Sequence, residues 1–396
     1  MTRLWDKGSS LDSQVLAYTA GDDHVLDNRL VAYDIRASIA HAEMLGEQKL
    51  LSAQDVAAIR DALTSIGEEH RLGKWRISLD QEDCQTAIEN LLTARIGATG
   101  GRLHAGRSRN DQVLAALRLY MRDAADALTQ AALAVAEALQ DLAARHAQQA
   151  LPGYTHMQQA MPSSVELWAL GFAAELRDDA DGLRLTQRRI GKNPLGSAAG
   201  FGTPNLDISR EATRRRLDFT ETQEPVTAVQ LSRGKAEAHL LFEITLLTQD
   251  LGRLAADLLL FYTQEFAYVA LPDAFTTGSS IMPQKRNPDV FELMRGRSAV
   301  AHAALNEVLG ITQKLTSGYH RDLQLIKPPL FRGIDSCLQT LEILPSALHG
   351  VRFRPDNIRL DPAIHAAAAA NALVAKEGIP FREAYRQVAA KLKDNE

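Results

Sequence analysis

An uninterrupted stretch of helical periodicity dominates the middle of the chain. Residues 110–150 contain no Gly or Pro, and their apolar side chains recur at steps of three and four residues, as on one face of an α-helix. A helix of roughly 40 residues extends about 60 Å at 1.5 Å per residue, so a compact single domain cannot cover it. We therefore predict equally long partner helices. Three segments that are poor in helix breakers and rich in Ala and Leu fit this role: 163–190, 236–268 and 288–316.

Shorter helical stretches flank these segments on both sides. Gly and polar turns separate them on the N-terminal side, and a Pro-containing break precedes them on the C-terminal side. No segment favours β-structure over more than a few residues, so we predict an all-α fold. The predicted short helices are 27–46, 52–66, 363–376 and 380–392.

These helices are expected to form three domains. We predict a small helical N-terminal domain at residues 1–106, an elongated long-helix bundle at 107–350 and a small helical C-terminal domain at 351–396. A bundle this thin leaves apolar surface uncovered, which favours a homo-oligomer whose core combines helices from several subunits. A large monomer is the alternative.

Composition excludes several classes of function. The chain has 44 basic and 49 acidic side chains, a formal charge of -5, and therefore lacks the positive surplus that nucleic-acid binding requires. Cys84 and Cys337 are the only cysteines, too few for a disulfide framework or a cysteine-based zinc site. Neither a signal peptide nor an apolar run long enough to cross a bilayer is evident, so we expect a cytoplasmic protein without a membrane partner.

The most informative polar segment lies between two predicted long helices, at residues 278–288. Ser279 and Ser280 follow a Gly and can turn hydroxyl and backbone N–H groups toward an anion, while Lys285 and Asn287 add a charge and an amide. The loop could therefore hold a carboxylate. The alternative is an ordinary helix-connecting loop that ends in a Pro-initiated helix.

A second polar segment opens the long central helix. Ser108, Arg109 and Asn110 cluster where the first backbone N–H groups of a helix have no partner within it, a position that attracts anions. Taken alone, the segment favours helix capping by Ser108 or Asn110 over substrate binding.

Two more polar segments lie at predicted helix junctions. His156 follows Thr155 in a stretch flanked by Gly and Pro, which is a better setting for an acid–base residue than that of most isolated histidines. Tyr319, Gln324 and Lys327 lie in a later polar stretch, which could be only a junction between helices.

The loop at 278–288 resembles the signature of the aspartase/fumarase superfamily, Gly-Ser-Ser-x-Met-Pro-x-Lys-x-Asn, at every specified position. In that superfamily the loop closes over the substrate. The resemblance implies that Ser279 is the base and that Lys285 and Asn287 bind a carboxylate. It also implies an elimination that releases fumarate and needs neither a metal nor an organic cofactor.

The segment that opens the long helix resembles the argininosuccinate lyases of that superfamily. Their common sequence is Leu-His-Thr-Gly-Arg-Ser-Arg-Asn-Asp-Gln-Val, and this chain departs from it at Ala105. The resemblance implies substrate contacts for Ser108, Arg109 and Asn110.

The stretch around His156 resembles the Gly-Tyr-Thr-His-Leu-Gln motif of the same family, with Met157 as the exception. The family pairs this His with a Glu that follows the signature loop, which corresponds to Glu292. The resemblance therefore implies that His156 is the acid, that Glu292 keeps it oriented, and that Thr155 contacts the substrate.

In argininosuccinate lyases a Tyr, a Gln and a Lys contact the arginine portion of the substrate, and Tyr319, Gln324 and Lys327 have that spacing. The resemblance implies argininosuccinate as the substrate, with arginine and fumarate as the products of a step in arginine biosynthesis. It also implies a homotetramer with active sites shared between subunits. The alternatives are another fumarate-forming lyase, such as adenylosuccinate lyase, and a non-catalytic, crystallin-like use of the scaffold.

Three departures from the family lie outside the catalytic set. Residues 6–8 replace a common Gly-Gly-Arg-Phe region, Gln85 replaces a usual His, and residues 229–235 replace the Ser-Asp-Arg-Asp region. They leave the contacts to the amino-acid end of the substrate open. The chain also stops soon after Leu392, where relatives usually continue, so we expect either a short C-terminal domain or a truncated chain.

Overall fold

The fold is mostly helical, which confirms the all-α prediction. The computed structural model describes residues 12–393, so the departure at residues 6–8 lies outside the described residues. The helices are α1 (Ser13–Ala20), α2 (Asp23–Leu26), α3 (Val31–Glu47), α4 (Ala53–Arg71), α5 (Cys84–Ile96), α6 (Ala98–Gly101), α7 (Arg109–Arg145), α8 (Val165–Leu185), α9 (Gln187–Ile190), α10 (Arg210–Arg216), α11 (Thr227–Leu231), α12 (Lys235–Tyr262), α13 (Asp289–Thr312), α14 (Lys327–Gly350), α15 (Ala366–Glu377) and α16 (Phe381–Lys393).

Short strands form three two-stranded sheets over the described part of the chain. The strands are β1 (Ala150–Thr155), β2 (Gln158–Ser164), β3 (Lys192–Asn193), β4 (Glu221–Thr222), β5 (Val269–Ala270) and β6 (Arg352–Phe353). The pairs β1–β2 and β5–β6 are antiparallel, and β3–β4 is parallel. Between residues 12 and 393, no helix combines the length and the apolar character needed to cross a membrane.

The described residues form two compact units. Unit 1 comprises the described residues up to Thr129, together with Asp181–Thr245 and Val300–Ser336. Unit 2 comprises Gln130–Ala180, Leu246–Ala299 and the described residues from Cys337 onward. The three-domain division that we expect from the sequence stays a prediction.

Within unit 1, close packing of α3 on α4 builds part of the core. Ile59, Leu63 and Ile66 lie on one face of α4 and are fully buried. A Cβ atom added at Gly46 would lie 2.7 Å from Cγ2 of Val56, so the two helices approach each other where a larger residue would clash. The periodic apolar positions of this segment therefore form a helix hairpin.

A buried carboxylate anchors the start of α7 in unit 1. Asp111 accepts backbone N–H groups from Ser108 at 3.0 Å, Gly196 at 3.0 Å and Ala198 at 2.8 Å. Burial raises the pKa of Asp111 to about 6, although these donors favour its charged form. Asp111 thereby ties the segment with Ser108 and Asn110 to the loop at residues 196–198.

The long helices that we predict are present with shifted ends. Segment 110–150 corresponds to α7, 163–190 to α8, 236–268 to α12 and 288–316 to α13. The sequence analysis did not identify α14, which contains Pro345 in its interior. Proline removes a backbone hydrogen bond and normally argues against a helix.

A hairpin in unit 2 corrects our expectation that extended segments are no longer than a few residues. Strands β1 and β2 have six and seven residues. Pro152 lies opposite Pro162, and proline is rare in strands, so the sequence did not favour this pairing. His156 and Met157 form the two-residue turn with φ of 52° and 61°. Positive φ at both turn residues is the type I′ geometry, which usually contains Asn-Gly.

Replacing Met157 with Gly should raise the free energy of unfolding by about 1 kcal/mol, because Gly adopts a positive φ without the steric cost of an L-side chain. Met157 is 69% exposed, so little packing is lost. Urea unfolding at fixed protein concentration measures the change. The matched control is Met161→Gly in β2, which should lower stability by about 0.5–1 kcal/mol because Gly weakens strands. A loss of stability in Met157→Gly would contradict the strain at this turn.

Candidate active site

Unit 1 contains a cavity of about 130 Å³ that is lined by both positively and negatively charged side chains. We call it the mixed-charge cavity. Five residues from the sequence prediction line it, contributed by the start of α7 and by the segment that leads into α14. They are Arg109, Asn110, Tyr319, Gln324 and Lys327, and the other lining residues are Asp23, Asp83, Val113, Arg233 and Arg321.

A buried ion cluster forms one wall of the mixed-charge cavity. The Lys327 ammonium lies 2.7 Å from a carboxylate oxygen of Asp23 and 2.7 Å from one of Asp27. Burial opposes the charge on Lys327, but the two carboxylates outweigh it and raise the pKa of the ammonium group. Burial raises the pKa of Asp23 to about 6, although Lys327 acts in the opposite direction. Lys327 therefore stays charged at neutral pH.

Other contacts orient the remaining side chains of this cavity. Gln324 donates its amide N–H to Asp23, which leaves the amide oxygen of Gln324 buried and without a hydrogen-bond partner. Arg109 pairs with Asp83 and lies 3.6 Å from Glu82. Asp83 also caps α5. These contacts fix both ends of the cavity before any ligand binds.

Ser108 has the capping role that its position favours. Its hydroxyl accepts the N–H of Asn110 at 3.3 Å, and its own N–H donates to Asp111 at 3.0 Å. Ser108 therefore caps the N-terminus of α7, whereas Asn110 lines the mixed-charge cavity. The hydroxyl proton of Ser108 can still donate to an acceptor.

In unit 2, backbone hydrogen bonds join the two ends of the loop that carries Ser279. The backbones of Thr277 and Asn287 exchange hydrogen bonds of 3.0 and 2.8 Å, and the Asn287 amide donates to the carbonyl of Gly278 at 3.3 Å. The Ser279 Oγ accepts N–H groups from Ile281 at 3.3 Å and Met282 at 3.2 Å. Two N–H groups on one hydroxyl oxygen would stabilise a deprotonated form.

The same unit contains an open cavity of about 790 Å³, the loop cavity. Lys285, Asn287 and Glu292 line it together with Met157. His156, the neighbour of Met157 at the hairpin turn, is exposed, as is Thr155. Among non-glycine residues a positive φ is uncommon and often marks a functional position. His156 therefore lies at an exposed turn whose backbone geometry is costly for a non-glycine residue.

Two of the departures from the family lie in unit 1. Gln85 is buried and donates to Asp34 at 2.9 Å and to the sulfur of Cys84 at 2.8 Å. Arg233, from segment 229–235, lines the mixed-charge cavity and lies 3.9 Å from Glu237. The first departure thus affects packing behind the cavity, and the second changes the cavity wall.

Comparison with known proteins identifies the family. A family model described as "Lyase" matches residues 14–302. Argininosuccinate lyase of Sorangium cellulosum (strain So ce56) is 48% identical over 392 residues, which cover 98% of this chain and 90% of that protein. Argininosuccinate lyase of Stenotrophomonas maltophilia (strain R551-3) is 43% identical over 391 residues, covering 98% and 90%. The chain belongs to the argininosuccinate lyase family.

Solved structures with a similar fold include an EDDS lyase and a class II fumarase. A structure of EDDS lyase in complex with formate has a TM-score of 0.81 at 24% identity and covers 96% of this chain and 76% of that one. A class II fumarase from Schistosoma mansoni has a TM-score of 0.79 at 16% identity and covers 96% and 88%. At this identity they show the fold alone, and the argininosuccinate lyase relatives show that the chain is a carbon–nitrogen lyase.

The sequence analysis missed charged residues that complete the mixed-charge cavity of this argininosuccinate lyase family member. Asp23 and Asp27 are four residues apart, one helical turn, and this spacing could have indicated a shared partner. Asp83 lies two residues before Gln85, and Arg321 lies two residues after Tyr319. Without their contacts, such charges look like ordinary surface residues.

Replacing Lys327 with Met should lower the free energy of unfolding by about 3–5 kcal/mol at pH 7, because it leaves Asp23 and Asp27 buried without a cation. The matched control, Arg332→Met, removes a half-exposed pair with Glu307 in the same region and should cost below about 1 kcal/mol. Urea unfolding measures both changes. The loss in Lys327→Met should shrink at pH 5, where Asp23 is protonated. Equal losses in the two variants would contradict a dominant role for the buried cluster.

Proposed function

We propose that this protein cleaves argininosuccinate to arginine and fumarate, as a step of arginine biosynthesis in the cytoplasm. The observation that carries the proposal is the charge pattern of the mixed-charge cavity. Its wall contains carboxylates of Asp23 and Asp83 beside the cations of Arg109, Arg233 and Arg321. A zwitterionic α-amino-acid group, such as that of arginine, is complementary to such a wall because it contains both an ammonium and a carboxylate.

The arginine portion would bind through residues that already have defined contacts. The amide oxygen of Gln324 is buried and unpartnered, so it is available to accept an N–H group. Tyr319 and Asn110 supply further polar groups in the same cavity. Lys327 contributes by holding Asp23 in place, since its ammonium group already contacts two carboxylates. Arg233 also lines this cavity, and it belongs to segment 229–235, which departs from the usual family pattern.

The reaction begins with removal of a proton from the Cβ atom of the succinyl part. In our proposal Ser279 removes it as an alkoxide, which the N–H groups of Ile281 and Met282 stabilise. Lys285 and Asn287 bind the adjacent carboxylate and delocalise the charge that develops on it. Thr155, Ser108 and the Ser280 hydroxyl are further donors for the succinyl carboxylates.

The second half of the reaction breaks the carbon–nitrogen bond. The electron pair at Cβ forms the double bond of fumarate, and the bonding pair of the C–N bond moves to the guanidinium nitrogen. His156 protonates that nitrogen directly or through a water molecule, and arginine leaves. Glu292 is the proposed partner that orients the imidazole, because it lines the same loop cavity as Met157, the neighbour of His156.

We further propose a homotetramer whose active sites combine residues of several subunits. Large apolar side chains on the long helices support this assembly: Leu167 is 65% exposed in α8, Phe242 46% in α12 and Leu293 61% in α13. Such surface is costly in water and is normally covered by a partner. The proposed site residues belong to both units, and subunits that share sites would combine them.

Ser279→Ala should lower kcat for argininosuccinate by at least about a thousandfold, because it removes the hydroxyl proposed to take the Cβ proton. Substrate binding should stay within a few-fold, since the carboxylate contacts remain. Fumarate absorbance measures turnover, and calorimetry with the inactive variant measures binding. Ser280→Ala is the matched control and should retain activity within about tenfold. Wild-type turnover in Ser279→Ala would refute the proposed base, and absence of fumarate from the wild-type protein would refute the proposed substrate.

The KM for argininosuccinate should fall as the pH rises through about 6. Burial raises the pKa of Asp23 to about 6, so its carboxylate becomes charged in this range and can attract the substrate ammonium. Steady-state kinetics from pH 5 to 8 measure the effect. Asp23→Asn should remove this part of the pH dependence and raise KM at pH 7. The control Asp22→Asn changes an exposed neighbour and should keep the wild-type profile, whereas an unchanged profile in Asp23→Asn would argue against this role.

A further inference from the structure

A second cavity in unit 1 is lined by cations and contains none of the proposed site residues. This basic cavity has a volume of about 320 Å³, within the range of small-ligand sites. Its polar lining residues are Arg118, Arg189, Lys192, Gln223, Ser232 and Lys235, and no acidic residue of the described chain lines it. Four cations around one cavity create a strongly positive potential there.

Arg118 is the innermost of these cations and is 1% exposed. Its guanidinium donates to neutral oxygens: the carbonyl of Lys192, the amide of Gln223 at 2.7 Å and the hydroxyl of Ser232 at 2.8 Å. Its Nε atom is buried and has no hydrogen-bond partner within residues 12–393. A buried charge is costly unless an opposite charge compensates it.

Little negative charge is available to compensate Arg118 within unit 1. The carboxylate that acts on it most strongly is that of Glu237, which also lies 3.9 Å from the buried Arg233. One carboxylate therefore serves two buried guanidinium groups. Burial lowers the pKa of Arg118 to about 10, but the group is still charged at neutral pH.

The outer cations of the basic cavity are accessible to solvent. Arg189 and Lys235 are exposed, and Lys192 pairs with the half-exposed Glu221 at 2.7 Å. This arrangement combines a buried guanidinium that has defined contacts with exposed cationic side chains at the mouth of the cavity. It suits an oxyanion with several acceptor oxygens, because a guanidinium and ammonium groups can each donate to a different oxygen.

We propose that the basic cavity binds a small oxyanion carrying two or more negative charges, with inorganic phosphate as its simplest form. The anion adds countercharge at Arg118, which shares the carboxylate of Glu237 with Arg233, and Arg189 and Lys235 neutralise the rest. This binding site is separate from the proposed lyase site, because none of the residues assigned to that reaction lines it.

Calorimetric titration of inorganic phosphate into the full-length protein tests the proposal, at constant ionic strength with chloride as the balancing anion. We expect saturable binding with a Kd in or below the millimolar range. The double variant Arg189→Ala with Lys235→Ala should weaken binding at least about tenfold, because it removes two charge-assisted contacts. Both residues are exposed, so the variant keeps the buried Arg118 and its contacts.

Arg188→Ala is the matched control, since Arg188 is an exposed neighbour of Arg189 that does not line the basic cavity. It should bind phosphate as the wild type does. Phosphate bound elsewhere, for example at Arg109 or Lys285, would persist in the double variant. Absence of saturable binding, equal affinity in the double variant, or an equal loss in Arg188→Ala would each overturn the proposal.

Discussion

The contact of one ammonium group with two buried carboxylates is the constraint on which the mixed-charge cavity depends. Lys327 opens α14, and its partner Asp27 lies 300 residues earlier in the chain. Weaker contacts support the same junction: Arg29 pairs with the half-exposed Asp335 at 3.0 Å and lies 4.4 Å from the ring centre of Phe331. Because exposed pairs contribute little, the buried cluster decides whether the cavity walls meet.

In unit 2 the proposed catalytic side chains lie on turns and not on the walls of a buried ion cluster. The proposed acid and base lie on turns whose backbones are held by local hydrogen bonds, and His156 is exposed while Ser279 is partly buried. His156 has a positive φ where Gly or Asn would cost less free energy, and Ser279 accepts two N–H groups from its own loop. The hairpin turn therefore costs stability at the residue proposed as the acid, a pattern that is common at functional sites.

The sequence predicted the long helices because their apolar periodicity is a local property, but prediction weakened where structure depends on distant contacts. Periodicity missed α14, which has Pro328 and Pro329 in its first turn, where a missing N–H is tolerated, and Pro345 in its interior. The motifs identified Lys327 and Gln324. They did not identify Asp23, because no local pattern links residues about 300 positions apart.

Segment 229–235 departs from the family pattern and contributes side chains to two cavities of unit 1. Arg233 lines the mixed-charge cavity, whereas Ser232 and Lys235 line the basic cavity. Gly234 between them has a φ of 84°, and a Cβ atom there would lie 2.5 Å from Cγ2 of Thr312. The junction therefore has little freedom to move, so a residue exchanged within it alters the charge on one or both of these cavities of unit 1.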